Sequence, residues 1–250
     1  MKFSRLLALS LLLLLIALPA ASFAQTALPK ITIAVDRASR PEDVAVTIQI
    51  LVLLTVLTLA PSILVMMTSF TRIIVVLHFL RQALGTQSTP PNQVVVGLAL
   101  FLTMFVMQKP ATEIYQKSWI PYRDGQVSVQ EAFKTSQEPL KDFMLRQTRE
   151  KDLGLFVKMA DLEQPANPQQ LPLTIVVPAF IISELRMAFQ IGFLIYMPFL
   201  IIDMVVASVL MSMGMLMLPP VMISLPFKVL LFVLVDGWYM LVESLVKGFH

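Results

Sequence analysis

The feature that most constrains this chain is a set of long apolar stretches interrupted by single charges at intervals shorter than a membrane span. From Val44 to Met67 there are 24 residues without a charge, enough at 1.5 Å per residue to cross a bilayer as a helix. The last 78 residues are almost as apolar, yet Glu184, Arg186, Asp203, Lys228 and Asp236 break them up. Facing lipid, each such charge would cost about 3 kcal/mol on insertion scales, so burial against protein or a water-filled space is expected. Glu184 and Arg186 are two apart and point to different sides of a helix, so neither neutralises the other. Pairing between copies of the chain is the expected solution, which makes all five buried inter-subunit charges. The alternative is a proton relay through Glu184 and Asp203.

Composition agrees with this pattern. Hydrophobic residues make up 57% and charged residues 14% of the chain, which excludes a solitary soluble domain. Lys2 and Arg5 account for two of the three net positive charges, so nucleic acid is not expected as a partner. With no cysteine, disulfides and thiolate chemistry are ruled out. The chain carries no phosphate-binding loop, zinc-protease helix or nucleophile elbow, and no His or carboxylate cluster at metal-ligand spacing. The expectation is a non-enzymatic protein without a cofactor.

Residues 1–24 read as a signal peptide: Lys2 and Arg5, a charge-free run from Leu6 to Leu18, Pro19, and cleavage after Ala24. Thirteen residues are short for a span, which needs about 20, so an uncleaved first helix is the lesser reading. Residues 25–43 form a mature N-terminal segment, and 44–108 a first hydrophobic hairpin. Within that hairpin Arg72, His78 and Arg81 lie in a connection with no acid before Gln93, which the positive-inside rule places in the cytoplasm. Pro90 and Pro91 set the start of the next apolar segment. Residues 109–172 are read as a small external helical domain and linker. Its charged part, Lys109 to Glu163, holds nine bases and nine acids, and Leu140, Phe143 and Met144 after Pro139 define an amphipathic helix. Residues 173–250 complete a second hairpin, giving four crossings. The fold class is all-α: membrane helical hairpins with a small external domain.

Within the second hairpin Met211, Met213, Met215 and Met217 alternate with other residues ahead of Pro219 and Pro220. Period two suits an extended stretch, and Gly214 permits a break in the helix. Methionine is unbranched and polarizable, so it seals against irregular surfaces without holding them. In a symmetric ring such side chains would form an apolar constriction. The alternative is core filling in a continuous helix.

Several segments carry a family resemblance: TSFTRI at 68–73, LRQALGTQSTPPNQV at 80–94, PAFIISELRMAFQIGF at 178–193, PFLIIDMVVAS at 198–208 and DGW at 236–238. Together they resemble the FliP/SctR family of type III secretion export-gate components. The resemblance implies a pore-forming subunit in a ring-like helical homo-oligomer of five copies. FliQ and FliR homologues and further export-apparatus membrane proteins would be its partners, and unfolded substrates its cargo. It also implies the bacterial inner membrane and flagellar basal body, with the external segment in the periplasm. The family's methionine-rich loop corresponds to Met215, Leu216 and Met217, with Leu216 where a third consecutive methionine is expected. The resulting expectation is a gasket of Met211, Met213, Met215, Leu216 and Met217. A proton-coupled small transporter and a passive assembly scaffold are the rival functions.

Overall fold

Apolar residues three and four apart place one face of Phe70–Leu84 (α2) against one face of Leu173–Ser212 (α8), and this contact organises the molecule. Ile73, Val76, Leu77, Leu80, Ala83 and Leu84 are buried on α2, and Val176, Ala179, Phe180 and Ala188 on α8. At Gly192 the helices come so close that a Cβ would lie 2.4 Å from the Phe79 ring. Only glycine fits there.

The computed structural model describes residues 41–86, 88–163, 167–215 and 217–249. The signal peptide, its Ala24 cleavage point, most of the 25–43 segment and Leu216 lie outside the described residues. The chain divides into two compact units, 1–51 and 52–250. Pro41–Met66 (α1) runs across that boundary as one helix, and its apolar residues from Ile48 to Ile63 are almost all exposed.

Proline and glycine punctuate the second unit. Gly85, at φ 74°, ends α2, and its N–H donates to Gln82 O. Pro91 precedes Asn92–Val106 (α3), as the Pro-Pro pair predicts. Gln108–Ile114 (α4), a π-helical turn at Tyr115–Trp119 and Ile120–Arg123 (α5) follow, bent by 57° from α3. Val129–Gln147 (α6) starts with an N-cap in which the Glu131 N–H donates to Ser128 Oγ at 3.2 Å. The amphipathic helix therefore begins ten residues before Pro139, which lies inside it, and Phe143 and Met144 are buried as the spacing predicts. Glu150–Met159 (α7) ends on Asp161 in the left-handed region at φ 50°. Helices α6 and α7 pack on α8 and share its core.

Helix α8 has 40 residues, about 60 Å of helix, and continues through Pro178 and Pro198. Pro220–Leu234 (α9) returns along it, and Gly237–Lys247 (α10) turns off at 64°. All regular structure among the described residues is helical. Among the described residues, one helix, α8, is long and apolar enough to cross a membrane, or up to three elements if each bent pair is one span. Val44–Met67 falls almost wholly in α1, a continuous helix of 26 residues. The other apolar runs are broken by bends.

Candidate functional site

Two features carry the expected functional residues: a chain of buried ion pairs along α8 and the methionine turn at its end.

Glu184 is fully buried and paired with Arg72 of α2, which is 2% exposed. Arg72 Nε donates to Glu184 Oε2 at 3.0 Å, and Nη2 donates to Oε1. The remaining donors are also used: Nη1 reaches the Gly248 carbonyl at 3.0 Å and Nη2 reaches Gln147 Oε1 at 3.1 Å. The guanidinium lies 3.9 Å from the centre of the Phe249 ring, and Gln147 Nε2 donates to the Phe249 carbonyl at 3.1 Å. One arginine thus joins α2, α8, the end of α6 and the residues after α10. Spreading so many charge-assisted bonds over its planar donors is what arginine does and lysine cannot.

Immediately before Glu184, Ser183 Oγ donates to Asp152 Oδ2 at 2.6 Å and accepts the Arg149 N–H at 3.1 Å. Arg149 Nε also donates to that carboxylate, at 2.9 Å. Burial raises the Asp152 pKa, but the Ser183 and Arg149 hydrogen bonds and the charges of Arg149 and Arg186 outweigh it, leaving the carboxyl below its ordinary value. This knot fixes the start of α7 to α8.

Lower on α8, Asp203 accepts from Lys228 Nζ at 2.6 Å and from Ser224 Oγ at 2.5 Å, both on α9. Lys228 Nζ also reaches the Ala83 carbonyl at the end of α2, at 3.3 Å. Glu184, Asp203 and Lys228 are therefore neutralised within one chain, which corrects the expectation that they need another subunit. Their partners lie on other helices, 112 and 25 residues away in sequence. The other two differ. Arg186 is exposed and makes no ion pair among the described residues. Asp236 is exposed too, at φ 50° between α9 and α10. Neither is buried in the single chain.

The methionine segment is not an extended strand. Met211 is still helical, Met213 is the C-cap, and Gly214 takes φ +73°. The Gly214 N–H donates to Met211 O at 3.1 Å and the Met215 N–H to Leu210 O at 3.0 Å. This pair of bonds is a Schellman motif. The chain then reaches Pro219 and Pro220, which open α9. The break anticipated near 214–219 is present, as a closed helix end rather than an unwound stretch. Met211, Met213, Met215 and Met217 are all exposed, Met217 at 96%. A core-filling role within the chain is thereby excluded.

Sequence reading missed Arg72, Asp152, Ser183 and Gln147. Arg72 was legible only as a connection charge, because nothing local signals a partner more than a hundred residues on. Among the described residues no group of three or more His, Cys, Asp or Glu side chains is placed to hold a metal ion.

An all-α protein with a long apolar helix, satisfied internal charges and an exposed sulfur-rich turn is a membrane-type helical protein rather than a soluble domain. The chain belongs to the FliP family, whose profile matches residues 53–245. It is 59% identical over 211 residues to the flagellar biosynthetic protein FliP of Bacillus subtilis (strain 168), covering 84% of this chain and 96% of that one. To the FliP of Pectobacterium carotovorum subsp. carotovorum it is 54% identical, over 82% of this chain and 79% of the relative. To that of Borreliella burgdorferi it is 46% identical, over 83% of each.

Proposed function

We propose that this chain is a flagellar biosynthesis component, a subunit of the type III protein export gate. Five copies, together with FliQ and FliR homologues and further membrane proteins of the export apparatus, would surround a pore for unfolded flagellar substrates. Its place would be the inner membrane at the flagellar basal body, with residues 109–172 on the periplasmic side. Membership of the FliP family supports the biological setting. The observation that carries the gate reading is the methionine turn: four exposed thioether side chains at the end of the longest helix, held by a glycine-capped helix end. Apolar, unbranched groups projecting from a fixed backbone are suited to meet other copies, close against water and ions, and part around a passing chain.

The chain does no chemistry in this reading, and the driving energy comes from other proteins. A proton relay is disfavoured because Glu184 and Asp203 are already held by Arg72 and Lys228. Changing Met215 and Met217 together to alanine should let ions leak through cells that assemble the complex normally. Tight membranes with normal assembly would refute the gasket. Arg186 and Asp236 are the charges left for contacts with neighbouring subunits.

A further inference from the structure

Arg81 is the exception among the arginines with little solvent access. Arg72 and Arg149 each hold a carboxylate. Half-buried Arg81 has none among the described residues. Its Nη2 lies 3.1 Å from His78 Nδ1, and its Nη1 reaches the Pro90 carbonyl at 3.5 Å. Burial and the nearby Arg81 charge lower the His78 pKa, so at neutral pH the ring nitrogen accepts this bond and adds no compensating negative charge. From Arg72 to Gln93 the sequence has no acid. A partly desolvated guanidinium without a counter-charge calls for an anion.

Arg81 also stands between two cavities. On one side is a slot of about 180 Å³ whose walls are otherwise apolar, including Leu77, Leu84, Leu98 and Trp238. On the other is an open recess of about 470 Å³ of mixed lining, where Arg81 is joined by His78, Gln82, Thr86 and Val221. No carboxylate lines either. A peptide in the slot would leave its backbone donors unpaired against these walls, a cost an alkyl chain does not incur. Beyond the slot α3 continues with exposed Phe101, Met104 and Phe105, the kind of surface that faces acyl chains.

We infer that Arg81 and the adjoining apolar slot form a binding site for an anionic phospholipid, with the phosphate on the guanidinium in the open recess and an acyl chain end in the slot. The site does not depend on the gate reading and would hold for any membrane role of the chain.

The test uses the full-length protein in its detergent-extracted assembly. Phosphatidylglycerol, phosphatidylcholine and inorganic phosphate are offered separately, and retained adducts are weighed by native mass spectrometry. Phosphatidylglycerol should be retained about fivefold better than phosphatidylcholine, with free phosphate not retained. Arg81→Gln should abolish the preference and Arg81→Lys keep most of it. Leu98→Trp, filling the slot with Arg81 intact, should reduce both lipids. Unchanged helical circular dichroism checks that each variant is folded, and the lysine and tryptophan variants decide the matter if Arg81→Gln is not. Equal retention of the two lipids by the wild type would overturn the site. So would a preference that survives Arg81→Gln, phosphate binding as well as lipid, or a wild-type slot that retains nothing because protein already fills it.

Discussion

Arg72 shows why single residues dominate the energetics here. Its guanidinium serves a carboxylate, a carbonyl, an amide and an aromatic face, drawn from three parts of the chain. Changing Glu184 to alanine would leave that cation buried with its main partner gone, at a cost of about 3–5 kcal/mol. Thermal unfolding in detergent should show it as a large drop, while alanine at Glu243, whose pair with Lys247 is at the surface, should shift it little. Asp152 gives a pH signature. Its native pKa lies below the unfolded value of about 3.9, so its contribution to stability is complete above that pH and is lost as pH falls through the lower native value. Docking of α7, followed by hydrogen exchange, should therefore loosen below about pH 4. Asp152→Asn should flatten that dependence. The sequence marks Glu184, Asp203 and Lys228 as residues that must be compensated, because charge in an apolar run is costly wherever it sits. It does not say by whom. Spacing reports only neighbours on the same helix, and the actual partners come from the packing of α2 and α9 on α8.

At the scale of elements, punctuation was the legible part. Pro91, Gly214, Pro219 and Pro220 mark real boundaries because they act on their own backbone, whatever surrounds them. The ends of α6 and the continuity of α8 were harder. Pro139, Pro178 and Pro198 lie inside helices that continue through them despite each missing donor. Methionines spaced by two suggested extension, but the helix runs through Met211 and stops only at the glycine cap. Contact between α2 and α8 depends on Gly192. An alanine there would place its Cβ 2.4 Å from the Phe79 ring and force the helices or the ring to move. Gly192→Ala should destabilise by about 1–3 kcal/mol, and Phe79→Ala in the same chain should recover part of that loss. Denaturant unfolding of the two single variants and the double variant measures the coupling.

For the whole molecule, the all-α class and family were readable from hydropathy and from the segments at 68–73, 80–94, 178–193 and 198–208, all within the family match. The bends were not: hydropathy counts apolar residues without seeing that α3 and α9 are followed by turns of 57° and 64°. The single chain pairs Glu184 and Asp203 internally and leaves its apolar faces and methionine turn exposed, which is what the proposed assembly would use. The most direct test places a cysteine at Met217 in the full assembly and seeks a disulfide to a cysteine-bearing substrate stalled in export. Crosslinking at 217, with none from a cysteine at Met159 on α7, which is also exposed, is the predicted result. A stalled substrate that never reaches position 217 would contradict the gate.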